Sequence, residues 1–271
     1  MAKRAFCVGI NDYPIADSDL NGCVNDAHTW ASLLIDHYNF TSTDVKLITD
    51  SKATKKAMVQ GIKDLLVGAQ AGDVLVFTNS SHGTYVADTN GDEDTYDEAI
   101  CPYDLQDNLL VDDELREIFT GIPKGVHLTV VSDSCFSGTV TRVALADNIP
   151  GLRLPDDRRI RFLNPSLLGR PVLNDPFKAR PKRFNKYPES KMNELLLSGA
   201  SDKEYSYDAF IDGSYRGAMT YYASQAIIAV NYKLTYAQLH SRLRFLIEDG
   251  GYPQHPQLEG KAQNKKWTLF A

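Results

Sequence analysis

Short β-branched runs alternate with longer amphipathic stretches along the chain, and this alternation leaves few folds open. AFCVGI, VKLIT, DVLVFTNS, HLTVVSD, ELLLSGA and KWTLF read as strands, whereas 23–38, 53–68, 112–120, 216–230 and 235–248 carry the apolar spacing of helices. Such alternation predicts an α/β fold, a mostly parallel sheet flanked by helices on both faces. At 271 residues the chain fits one large domain or two small ones. In open α/β sheets ligand groups gather beyond the carboxyl ends of strands. Two reactive residues fall there: His82, followed by Gly83, and Cys135 within Asp133-Ser134-Cys135-Phe136-Ser137-Gly138.

The bulk numbers narrow the function. A formal charge of -6 argues against nucleic acid as a partner, which would ask for a basic footprint, and leaves polycations or basic peptides open. Cys7, Cys23, Cys101 and Cys135 are scattered, with no C-x-x-C pair and no His at ligand spacing, so zinc is not expected. The first ten residues, MAKRAFCVGI, lack the apolar core of a signal peptide, and no run is long enough to cross a membrane. A cytoplasmic protein with free thiols is the simplest expectation.

A thiol titrates near 8.5 and becomes a good nucleophile at neutral pH only if a base or a positive field promotes the thiolate. An imidazole can take that proton and return it to a leaving amine. Cys135 and His82 are therefore read as a pair for acyl transfer, with the backbone N–H groups of Gly83 and Cys135 as donors to the developing oxyanion. The plain alternative stays open: a lone cysteine beside a strand is most often a buried structural residue. His28, His37, His127 and His240 read as structural or solvent-facing, and Trp30 and Trp267 as core anchors.

One segment breaks the alternation. Residues 147–192 hold seven of the twelve prolines together with Arg158, Arg159, Arg161, Arg180, Lys182 and Arg183, which rules out a continuous helix or central strand. A long exposed loop is expected.

At these residues the chain resembles the caspase-like cysteine peptidases, and within them the metacaspases and their prokaryotic relatives, the orthocaspases. The resemblance rests on Gly22-Cys23-Val24-Asn25-Asp26-Ala27, Ser81-His82-Gly83, Asp112-Asp113-Glu114-Leu115 and Asp133-Ser134-Cys135-Phe136-Ser137-Gly138-Thr139. Leu197-Ser198-Gly199-Ala200, Tyr215 to Tyr221 and Pro256 to Gly260 look like the family's small-subunit half. It implies a single domain over 1–271 with a caspase-like (caspase-hemoglobinase) fold, a large-subunit-like half over 1–146 and a small one over 193–271. It also implies hydrolysis of protein or peptide substrates after Arg or Lys, with Cys135 as nucleophile and His82 as base and acid. Asp26 and Asp133 would be pocket carboxylates for the basic side chain, with Ser80 in the pocket wall; the alternative is that Asp26 caps a helix and Asp133 ends a strand. Phe136 stands where the family commonly has His, and Thr84 where it often has a second Gly.

The same resemblance implies a calcium site at Asp97, Asp112 and Asp113, although Arg142 stands where a fourth Asp would be; a solvated acidic loop is the alternative. An EF-hand is excluded, because Glu93 occupies the required glycine position. Self-processing is expected within 147–192, with Arg180, Lys182 or Arg183 as the cut sites, against a merely flexible connector. A monomer is expected. The rivals are a catalytically weak or inactive caspase-like binding scaffold, and a relative with another side-chain preference.

Overall fold

The computed structural model describes residues 1–87, 96–135, 158–170, 189–201 and 204–271. In chain order its regular elements are β1 (Lys3–Gly9), α1 (Cys23–His37), β2 (Val45–Thr49), α2 (Lys55–Leu66), β3 (Val74–Ser80), β4 (Gly83–Ala87), β5 (Tyr96–Ile100), β6 (Leu110–Val111), α3 (Asp112–Thr120), β7 (His127–Asp133), β8 (Arg159–Ile160), β9 (Leu195–Ser198), β10 (Tyr207–Ile211), β11 (Ser214–Gly217), α4 (Ala218–Ile228), α5 (Tyr236–Asp249) and β12 (Gln257–Glu259).

The central sheet runs β12-β9-β7-β3-β1-β2, parallel throughout except for the antiparallel pairing of β12 with β9. Successive strand residues point to opposite faces, and β1 shows the result. Ala5 and Cys7 join one apolar cluster with Trp30, Leu34 and Met219, while Phe6 and Val8 join another with Met58, Ile62 and Phe119. Thus α1, α4 and α5 cover one face, and α2 and α3 the other. A sheet buried on both sides explains why its strands read as continuous apolar runs in the sequence.

Two small antiparallel sheets rim the carboxyl end of this scaffold, β4-β5-β6 and β11-β10-β8. The β10–β11 hairpin turns through Asp212 and Gly213, both at positive φ (51° and 80°), as a two-residue hairpin matched to strand twist requires. These short strands carry little periodicity, and the sequence pattern does not reveal them.

Two expectations are corrected. KWTLF is not a strand: a short 3-10 turn over Asn264–Lys266 leads into it, and Leu269 and Phe270 then plug the core against Leu234 and Trp30. The 147–192 segment is not exposed throughout. Its residues Ile160, Arg161, Leu163 and Leu168 are buried, and Asn164 caps a 3-10 turn over Pro165–Leu168 by accepting from the Ser166 N–H at 2.9 Å.

Trp30 ties α1 to the rest of the molecule. Its ring meets Phe270 edge-on at 6.2 Å and its indole N–H donates to the Thr220 hydroxyl at 3.3 Å. Trp30→Ala should lower the unfolding free energy by about 3–5 kcal/mol, measured by chemical denaturation; a loss below about 1 kcal/mol would mean that this contact is not part of the core.

Candidate active site

Strands β3 and β7 lie side by side in register, with Ser80 opposite Asp133, so the residues that follow them emerge together. Gly83 packs so tightly on Cys135 that a Cβ there would stand 1.8 Å from the Cys135 carbonyl oxygen. Only glycine lets the two strand ends meet this closely.

The His82 ring is buried beside Tyr13, centroids 5.0 Å apart, and the His82 backbone N–H donates to the Tyr13 hydroxyl at 3.0 Å. Nε2 lies 2.7 Å from the Ser18 carbonyl. A carbonyl can only accept, so Nε2 carries the hydrogen and Nδ1 keeps its lone pair. Nδ1 has no hydrogen-bond partner among the described residues. Burial lowers the ring's pKa to about 4, leaving a neutral imidazole near neutrality.

The Cys135 sulfur is buried too. It accepts from the Ser206 N–H and donates to the Ser206 carbonyl at 3.3 Å, and burial pushes its pKa well up. Thiol and imidazole are both neutral here, and they are not hydrogen-bonded to each other.

Arg161 fills the space that these groups surround. The backbone N–H groups of Gly83 and Cys135 both donate to its carbonyl oxygen, at 2.9 and 3.2 Å. Its segment lies in the site as an added strand. Arg159 and Ile160 pair antiparallel with Asp208 and Tyr207 of β10, Arg161 N–H donates to the Ser206 carbonyl at 3.0 Å, and Leu163 N–H donates to the Gly83 carbonyl at 2.9 Å.

The Arg161 guanidinium is fully buried. Nη2 donates to the Asp26 carboxylate at 2.7 Å and to Asp208 at 3.4 Å; Nη1 donates to the Asp133 carbonyl at 3.0 Å and stands 3.3 Å from its carboxylate. The carboxylates are themselves held. Asp26 accepts from the Gly217 N–H at 3.0 and 3.1 Å, while Asp133 accepts from the Thr220 N–H at 3.0 Å, the Thr220 hydroxyl at 2.8 Å and the Ser206 hydroxyl. A Cβ at Gly217 would fall 2.2 Å from an Asp133 oxygen and 2.6 Å from both Asp26 and Arg161, so this position floors the pocket by having no side chain. Burial raises Asp26 to about 7 and also raises Asp208, with the Arg161 charge pulling both down. Burial likewise opposes the guanidinium's charge, but the carboxylates of Asp133, Asp26 and Asp208 outweigh it and hold Arg161 protonated.

Of the residues singled out from the sequence, His82, Gly83, Cys135, Asp26 and Asp133 come together around Arg161. Asp26 is not a helix cap: Gly22 holds that position in α1, without a side-chain bond. Ser80 sits at the end of β3 beside Asp133, while the guanidinium's contacts go to carboxylates instead. Asp97 is buried on β5; Asp112 opens α3 and pairs with Arg116 at 3.4 Å, with Asp113 beside it. Among the described residues no group of three or more His, Cys, Asp or Glu is arranged to hold a metal. Arg142, Arg180, Lys182 and Arg183 lie outside the described residues. Sequence reasoning missed Asp208 and the part played by Arg161. The signal was the Arg158-Arg159-Ile160-Arg161 run, a strand-like basic stretch ahead of an aromatic residue.

The whole chain superposes on a solved protein from Geobacter sulfurreducens with a TM-score of 0.73 at 25% identity, covering 100% of this chain and 99% of that one. Caspase-1 from Spodoptera frugiperda superposes over 95% of this chain and 86% of its own, with a TM-score of 0.54 at 12% identity, which defines the fold as caspase-like. Residues 3–144 match the family described as Metacaspase, peptidase C14 domain. Metacaspase-1 of Cryptococcus neoformans is 32% identical over 297 aligned positions covering 99% of this chain. The chain belongs to the metacaspase family. It spans 64% of the length of that fungal relative and 35% of that of Metacaspase-7 of Arabidopsis thaliana, to which it is 41% identical over 145 residues, 51% of this chain.

Removing a buried charge partner costs about 3–5 kcal/mol, so Arg161→Ala should release the 158–163 strand. Hydrogen exchange at the Gly83 and Leu163 amides, whose bonds run to and beside that strand, should accelerate by at least about 100-fold. Unchanged exchange would mean that the guanidinium does not hold the segment in place.

Proposed function

We propose that this protein is a cysteine endopeptidase that cuts after Arg or Lys, and that its own Arg161–Phe162 bond is its first substrate. One observation carries the reading: two backbone amides beside a cysteine and a histidine converge on the Arg161 carbonyl while three carboxylates grip its side chain. Donors aimed at one carbonyl oxygen are what stabilises an oxyanion, and each is worth about 2.7–4 kcal/mol of barrier where measured.

The chemistry follows from the placement of hydrogens. The Cys135 thiol turns from Ser206 toward the imidazole and gives its proton to the lone pair on His82 Nδ1. The thiolate attacks the Arg161 carbonyl carbon, and the Gly83 and Cys135 amides hold the resulting oxyanion. The C–N bond to Phe162 breaks, and the imidazolium returns the proton to the departing amine. Water then hydrolyses the thioester, with His82 as its base. The Ser18 carbonyl acts through orientation, fixing which ring nitrogen is the base.

Preference for a basic side chain follows from the pocket. A guanidinium offers planar donors to carboxylates on several sides, and an acidic side chain there would add a fourth negative group to a buried cluster. Calcium stimulation rests on the resemblance alone: Asp112 is engaged by Arg116, and no step above passes through a metal.

On a denaturing gel the purified wild-type protein should accumulate two fragments, Cys135→Ala should stay whole, and Arg161→Ala should be cut at least about 100-fold more slowly, as for a pocket whose buried polar groups lose their partner. Identical fragments from wild type and Cys135→Ala would contradict the reading. In a second assay, fluorogenic peptides ending in Arg or Lys should be cleaved and those ending in Asp should not, each with calcium or with a chelator. Cleavage after Asp would overturn the pocket, and equal rates with and without calcium would remove the calcium expectation.

A further inference from the structure

The groove has a second basic-residue site, three positions upstream of Arg161. Arg158 stacks its guanidinium over the Tyr252 ring, 4.3 Å from the centroid, and its Nη1 donates to the Gly251 carbonyl at 3.0 Å. The Tyr252 ring is buried among neighbours, with Tyr207 at 6.1 Å and Tyr222 at 5.8 Å, both inclined to it. Its face is therefore presented by a fixed aromatic cluster.

The backbone contributes as well. Gly250 and Gly251 follow α5 directly, so the accepting carbonyl lies at the negative end of a fourteen-residue helix. Gly250 cannot be replaced without moving this wall, since a Cβ there would sit 2.0 Å from the Tyr222 hydroxyl. Gly251 adopts φ 74°, which turns the chain sharply before Tyr252. A cation placed over an aromatic ring and against such a carbonyl is favoured by both.

We infer that Tyr252 and the Gly251 carbonyl form a subsite for arginine at the fourth position before the cut, so that the protein selects peptides carrying a basic residue there as well as at the cleaved bond. The inference deepens the reading of Arg161 as the residue before the cut and rests on it. The substrates it names are segments of the form Arg-x-x-Arg, of which Arg158-Arg159-Ile160-Arg161 is the one within this chain that the groove holds. Between these ends, Ile160 is buried against the apolar cluster and Arg159 donates to the Asp19 carbonyl, so the strand is held along its length.

The test uses full-length protein carrying Arg158→Ala and Arg161→Ala, which vacates both pockets, and three peptides: Arg-Arg-Ile-Arg, its analogue with citrulline first, and its analogue with Ala first. Citrulline keeps the shape of arginine and removes the charge. Turnover gives kcat/KM, and Cys135→Ala in the same background gives Kd from fluorescence polarisation. The arginine peptide should lead the citrulline peptide by about tenfold in both readouts, about 1.4 kcal/mol, and Tyr252→Leu should erase the lead. Equal values for arginine and citrulline, or a lead that survives Tyr252→Leu, would overturn the subsite. Failure of the underlying reading looks different: replacement of the last Arg by Asp would then leave turnover and Kd unchanged.

Discussion

The arrangement depends on how one buried charge is neutralised. Taking a guanidinium out of water costs several kcal/mol unless other groups compensate it, and Arg161 lies wholly inside the protein. Three carboxylates from three separate elements answer that charge: Asp26 from α1, Asp133 from β7 and Asp208 from β10. Each is positioned by further bonds, so the pocket is preorganised by α1, by the strand carrying the thiol and by the start of α4. The strand pairing of 158–163 and the docking of its carbonyl oxygen follow from the anchoring of that side chain.

This occupancy explains the protonation state around the sulfur. With the groove filled and water excluded, burial favours neutral forms, raising the thiol and lowering the imidazole. The thiol satisfies itself on Ser206, a residue that also accepts the Arg161 amide and donates to Asp133. Ser206 therefore links the Cys135 thiol, the docked strand and the carboxylates around Arg161. The proposed mechanism requires the thiol to turn from this backbone partner toward the lone pair on His82 Nδ1.

Much of this was legible in the sequence, and the limits have physical causes. The strands of the two-sided sheet announced themselves as apolar runs, and glycine after histidine marked a close backbone approach. Asp26 and Asp133 follow from the family resemblance, whereas Cys135 and His82 could be named because each follows a strongly apolar strand. Asp208 could not, since it lies on a short rim strand without a clear pattern. Arg161 was hidden for a different reason: prolines in 147–192 argue against long regular structure, but a short extended stretch can still bury residues such as Ile160, Arg161 and Leu163 when another strand supplies its hydrogen bonds. KWTLF misled because apolar, aromatic runs can plug a core as well as extend a sheet.

The central claim is that the segment holding Arg161 sits in the groove as a substrate. Freshly purified wild-type protein should be left to process itself, and the N-terminus of the smaller product should be determined by sequencing and intact mass. A new chain beginning Phe162-Leu163-Asn164-Pro165 is the predicted result. Fragments that begin elsewhere, with the Arg161–Phe162 bond intact in all of them, would contradict the account.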